Sequence, residues 1–129
     1  MATLFTKIIE GSIPSHKVAE SDKFLAFLDI SPLQKGHTLI IPKKEVDYIF
    51  DIEDDLLMEM MTFAKEVAHK IKRVIPCNRI GVTVIGLEVP HAHIHLVPIS
   101  KMADMNFSGP KMSLNTEELS AIAAQIASA

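Results

Sequence analysis

VPHAHIHLVPIS, Val89 to Ser100, places histidines at 91, 93 and 95 with a proline on either side. Side chains of an extended strand alternate between its faces. His91, His93 and His95 therefore point one way, neighbours about 6.5–7 Å apart. Ala92, Ile94 and Leu96 point the other way. A segment of this kind reads as a strand over Ala92 to Ile99 that packs its aliphatic side into a core and presents imidazoles on the other. It predicts a sheet with an apolar cover on one face.

The cover is legible upstream. Ile52, Leu56, Met60, Phe63, Val67, Ile71 and Val74 recur every three or four residues, the spacing of one helical stripe. The spacing predicts a helix capped near Asp51, running to about Ile75 and stopped by Pro76. Its length of roughly 30 Å is enough to cross a small sheet. Other strands read from Lys17 to Glu20, Phe24 to Ile30, His37 to Ile41 and Arg79 to Ile85, the first two joined as a hairpin by Ser21-Asp22-Lys23. Thr3 to Glu10 reads as a short helix closed by Gly11. Asn115 or Thr116 opens a final helix to about Ser128. Lys101 to Ser113 has no period and reads as a surface loop or arm. The order predicts an α+β fold: a five-stranded antiparallel sheet, one long helix on it, and short terminal helices.

The chain of 129 residues is 48% hydrophobic, and reads as one folded domain over 1–129 with its triad-bearing core at about 4–99 and an extension at 100–129. Net charge is −3 with no basic stripe, which argues against a nucleic-acid partner. Cys77, the single cysteine, excludes an internal disulfide. No apolar run approaches the ~18 residues of a membrane helix, and Met1 to Thr6 reaches Lys7 without an apolar signal region. These features predict a cytoplasmic protein with no membrane partner.

Three in-register imidazoles allow three readings. As buried structural groups they need three sets of hydrogen-bond partners. As ligands, His91, His93 and His95 could hold a catalytic zinc, although the outer pair converges poorly without a bend and no acidic cluster stands beside them. As catalysts, one neutral imidazole attacks phosphorus or a carbonyl while its neighbours set the tautomer and assist the leaving group.

HAHIHLV, His91 to Val97, resembles the motif of the histidine triad (HIT) family, in its Hint-like branch: His, apolar, His, apolar, His, apolar, apolar. FTKIIEGSIPS (Phe5 to Ser15) and LAFLDISPLQKGHTLIIPKK (Leu25 to Lys44) extend the resemblance in the family's order and spacing. The resemblance implies a purine nucleotide phosphoramidate hydrolase or nucleotidyl transferase acting at an α-phosphate, with no cofactor or metal required. It also implies a homodimer and an AMP-like ligand. It assigns the attack on phosphorus to His93, phosphate contact and leaving-group assistance to His95, and positioning to His91 and His37. Asp29 matches the ribose acceptor, and Phe5, Ile8, Ile13, Phe27 and Ile30 match the walls around the base. For these five, plain core packing is the competing reading.

Two positions depart from the family. Where many relatives place Gly-Gln before the triad, this chain has Gly86-Leu87, which carries no side-chain donor, and Glu88 follows. The preceding GVTVIG (Gly81 to Gly86) runs as strand almost to the break, in place of a glycine-rich, asparagine-containing loop. These phosphate-proximal changes leave open a nucleotide-binding regulatory protein with weak turnover.

Overall fold

A computed structural model describes residues 2–129. Three antiparallel strands come first: β1 (Lys17–Glu20), β2 (Phe24–Leu28) and β3 (Thr38–Pro42). The long helix follows β3, and two further strands, β4 (Arg79–Thr83) and β5 (Ile94–Ile99), complete a sheet ordered β1-β2-β3-β5-β4. Every pairing is antiparallel. In chain order the helices are α1 (Leu4–Glu10), α2 (Asp54–Val74) and α3 (Thr116–Ala127).

Both faces of the sheet are covered, which explains why β2 and β3 are buried at every position and read as unbroken apolar runs. Phe24, Ala26, Leu28, Ile40, Ile94 and Leu96 face α2 and α3. Leu25, Phe27, Leu39 and Ile41 face the opposite way and pack with Phe5 and Ile8 of α1. The C-terminal helix is part of the core, with Leu119, Ile122, Ala123 and Ile126 buried on it. Among the described residues no helix is long and apolar enough to cross a membrane.

Several boundaries differ from the sequence reading. The long helix begins at Asp54, because residues 49–51 form a separate 3-10 turn and Asp51 is not its cap; Glu53 occupies that position without a side-chain hydrogen bond. Asn115 caps α3 and accepts from the Glu118 N–H, while Glu118 accepts from the Asn115 N–H. Gly11 ends α1 at φ +85°, the left-handed region suited to glycine.

The strand bearing the triad begins at Ile94, two residues later than read. Before it, the chain leaves the ladder: the His91 N–H donates to the Val89 carbonyl and the Ala92 N–H to Val46. With β5 diverted there, β4 has no partner beyond the Thr83–His95 pair, so it ends at Thr83 and not Ile85. The alternation survives this bend, since Ala92, Ile94 and Leu96 enter the α2-side core.

Candidate active site

His91, His93 and His95 meet His37 and Asp29 on the α1 side of the sheet. Carbonyls can only accept, and amide N–H groups can only donate, so the hydrogen bonds fix the tautomer of each neutral imidazole. His91 donates from Nε2 to the Pro42 carbonyl at 2.8 Å and accepts at Nδ1 from the Thr3 hydroxyl at 2.9 Å. His93 donates from Nδ1 to the His91 carbonyl at 2.7 Å, which leaves the lone pair on Nε2. His37 accepts at Nδ1 from the Leu33 N–H at 3.0 Å, so its proton is on Nε2. That proton is donated to Nδ1 of His95, 3.0 Å away, which puts the His95 proton on Nε2.

Two ring nitrogens are left over. His91 and His37 have both nitrogens engaged, whereas Nε2 of His93 and Nε2 of His95 have no protein partner. Among the described residues every fully buried side-chain nitrogen or oxygen has a partner, so these two atoms reach the surface. One is a lone pair and the other an N–H: a nucleophile beside a hydrogen-bond donor.

Burial disfavours the charged imidazoles. It pushes His37 down to about 4 and His95 down to about 3, where the neighbouring His93 and His37 add to the effect. Burial also lowers His91, against the Pro42 hydrogen bond and Glu45, which raise it. Burial pushes the Asp29 carboxyl up, while the Ser31 N–H, donating to Oδ1 at 2.8 Å, holds it down. The other oxygen, Oδ2, lies 3.7 Å from Nε2 of His37 and is the atom open to a ligand hydroxyl.

Phe5, Ile8 and Phe27 are buried in the cluster under α1, Ile13 sits at its margin and Ile30 is 70% exposed. The first three pack together in the core. Phe5 has a second role: its ring stands T-shaped to His93, centroids 5.0 Å apart, and braces that imidazole. Leu87 is 89% exposed, Glu88 is also exposed, and neither side chain makes a hydrogen bond to the triad. His69 is exposed; His16 is half-buried and its Nδ1 lies 3.3 Å from the Ser120 hydroxyl, because α3 packs against β1.

Sequence reasoning missed the groups behind His91. Thr3, the cap of α1, accepts from the Thr6 N–H while its own hydroxyl serves His91. Glu45 accepts from the Thr3 N–H at 2.8 Å and the Thr6 hydroxyl at 2.9 Å. A cap at Thr3 was foreseeable from the helix start; Glu45 is 42 residues away and carries no local signal. Phe107 was hidden in the aperiodic arm, yet its ring lies 4.9 Å from that of His95.

A zinc ion on His91, His93 and His95 does not fit, since His91 has no free nitrogen. The ligand atoms that do converge belong to Asp29, His37 and His95, within 4.8 Å of one another. That set fits poorly too: the Leu33 N–H holds the lone pair of His37 Nδ1, so Nε2 must keep its proton and cannot ligate.

The family model described as HIT domain matches residues 10–102. The adenosine 5'-monophosphoramidase HNT1 of Saccharomyces cerevisiae is 41% identical over 101 residues, covering 75% of this chain and 62% of that protein. The adenosine 5'-monophosphoramidase hnt1 of Schizosaccharomyces pombe is 31% identical over 133 residues, covering 99% and 98%. The crystal structure of a Hit-like protein involved in cell-cycle regulation from Bartonella henselae matches at TM-score 0.85 and 30% identity, over 98% of this chain and 94% of that one.

Proposed function

Because this chain belongs to the HIT domain family, we propose that it hydrolyses a purine nucleotide phosphoramidate, or transfers its nucleotidyl group, through a covalent intermediate on His93. The observation that carries the reading is the 2.7 Å hydrogen bond from His93 Nδ1 to the His91 carbonyl, which leaves the Nε2 lone pair at the surface. The similar adenosine 5'-monophosphoramidases at 41% and 31% identity supply the substrate class.

In the first half-reaction Nε2 of His93 attacks the α-phosphorus and the phosphorus–nitrogen bond breaks, the departing amine taking up a proton from solvent. With Nδ1 still protonated, the nucleotidyl-bearing ring is formally cationic. The His91 carbonyl lies against that charge as it develops. Nε2–H of His95 donates to a phosphoryl oxygen or the departing nitrogen. In the second half-reaction water attacks phosphorus, the bond to Nε2 breaks, a proton passes to solvent, and the nucleoside monophosphate leaves. Asp29 Oδ2 accepts from the ribose hydroxyls. Every step uses side chains of this chain, and the reading requires no metal.

The test is release of AMP from adenosine 5'-phosphoramidate, with rapid-quench capture of protein-bound nucleotide. His93→Ala should abolish both signals; full activity in that variant would overturn the mechanism. GMP and UMP analogues compared with the AMP compound test the purine preference.

A second reading, a nucleotide binder with slow turnover, is favoured by Leu87, an apolar side chain left 89% exposed next to Gly86. Calorimetric binding of AMP with no turnover of any phosphoramidate would select it. The protein is also proposed to pair as a homodimer: β4 is an edge strand, and Val82, Ile85 and Phe50 are 52%, 45% and 74% exposed. Sedimentation at micromolar concentration decides this, and a single monomer boundary would reject it.

A further inference from the structure

The arm between β5 and α3 folds back over the β2–β3 loop, where the Met112 N–H donates to the Pro32 carbonyl at 2.8 Å. It brings two side chains to the site. The Phe107 ring stands T-shaped to His95 at 4.9 Å and to His37 at 6.1 Å. Lys111 lies over that ring, Nζ 5.9 Å from the centroid, and donates to the carbonyls of Phe107 and Gly109. These partners are uncharged. The lysines of this protein that meet a carboxylate within 4.0 Å are Lys17, Lys23 and Lys43; Lys111 is exposed and, among the described residues, meets none.

The charge on Lys111 nevertheless registers inside the site, lowering both Asp29 and His37. Nothing else in the catalytic corner supplies fixed positive charge: burial keeps His37, His91 and His95 neutral, Leu87 is apolar and Glu88 is acidic. Among the described residues its amine makes no hydrogen bond to a triad imidazole and meets the site across the Phe107 ring.

We propose that Lys111 binds a second anionic group of the substrate, a carboxylate or phosphate carried in addition to the α-phosphate, with Phe107 as the apolar post that holds the lysine on the side of His95 and His37. The preferred substrates are then nucleotidyl compounds bearing such a group, and the arm sets specificity. This inference rests on the nucleotidyl reading of the site. An ammonium held only by carbonyls and an aromatic face exchanges those partners for an anion with little rearrangement.

The experiment uses matched pairs of adenosine 5'-phosphoramidates. In one arm the amine is alanine, compared with alanine methyl ester; in the other it is aminoethyl phosphate, compared with its dimethyl ester. For wild type the ratio of kcat/KM, anionic over ester, should exceed one in at least one arm, and that arm identifies the anion. Lys111→Met should lower that ratio about fivefold, the size expected for an exposed ion pair. Lys111→Arg should retain it, and raising the salt concentration should erode it. A ratio unchanged in Lys111→Met, including the case where both members of a pair fall together, overturns the proposal. So does the absence of preference in wild type. Calorimetric Kd ratios for the same pairs, measured on His93→Ala, read the preference without turnover. No turnover by wild type with an intact Kd ratio therefore indicts the catalytic reading alone, and no binding by any compound overturns both.

Discussion

His37 donates its Nε2 proton to Nδ1 of His95 at 3.0 Å, and it does so because the Leu33 N–H already occupies the other side of its ring. A main-chain amide thereby sets the direction of a proton chain that ends on the exposed Nε2–H of His95. His37→Leu removes the chain at a position 1% exposed, and His95 is then free to place its proton on Nδ1, turning a lone pair toward phosphate. The expected result is a fall in kcat of about 10- to 100-fold with KM little changed. Steady-state kinetics on a variant shown by circular dichroism to be folded checks this. An unaltered kcat would mean that His95 does not depend on His37 for its tautomer.

The other end of the triad hangs on Thr3. Its hydroxyl accepts from the Thr6 N–H at 3.0 Å and donates to His91 Nδ1 at 2.9 Å, so one oxygen caps α1 and orients the His91 imidazole. Thr3→Val keeps the shape and strands both partners. Urea unfolding should show a loss of about 1–3 kcal/mol, with kcat reduced alongside. Thr3→Ser should restore both quantities, and a Thr3→Val variant as stable as wild type would remove the cap and the bracket from the account.

Stability should fall with acid before the carboxylates titrate. His37 and His95 are pushed from 6.5 to about 4 and about 3. Below 6.5 the unfolded chain takes up protons that the folded chain refuses, so stability is complete above that value and is lost as pH falls toward the folded values. The slope is up to about 1.4 kcal/mol per pH unit for each histidine. Glu20, held down by Lys43, and Glu45, held down by Thr6, add losses of the same sign only below 4.5, and Asp29, pushed up by burial, works the opposite way. Urea midpoints taken between about pH 7 and about pH 5 should therefore decline. His37→Leu should decline less steeply than wild type, and a flat profile in wild type would show that these imidazoles are not held neutral by burial.

What could be read from the sequence was whatever repeats locally. The two-residue alternation of Ala92, Ile94 and Leu96 and the stripe from Met60 to Ile71 each followed from one period, and both enter the same core. The bend that starts β5 at Ile94 could not be read, because it depends on Val46 accepting the Ala92 N–H from a distant loop. The same reason hides Glu45 behind Thr3 and Phe107 against His95: contacts between remote segments leave no mark in spacing. Phe5 and Phe27 show a different limit. Aromatic residues that wall a ligand and aromatic residues that fill a core have the same pattern, and both are buried here, at 4% each.

Leu87 allows the departure from the family pattern to be tested directly. The residue follows Gly86, which adopts φ +78°, and the chain there is open: beyond the adjoining residues no atom lies within 4 Å of the position a Gly86 Cβ would take. Leu87 itself is 89% exposed, so replacing it costs the core nothing. Leu87→Gln adds an amide donor on the approach to His93, which lines the same groove as Gly86. A preorganised donor at a developing oxyanion is worth about 10²–10³ in kcat. An amide on an exposed, unbraced turn must also be ordered on binding, at about 0.5–1.5 kcal/mol for such a side chain. The expected gain is therefore smaller, about tenfold, and it should appear in kcat more than in KM, since the donor is asked to meet charge that grows in the transition state. The unfolding midpoint should not move. A Leu87→Gln variant with wild-type kcat would show that this turn does not reach the phosphate, and that turnover is set by the imidazoles and their partners.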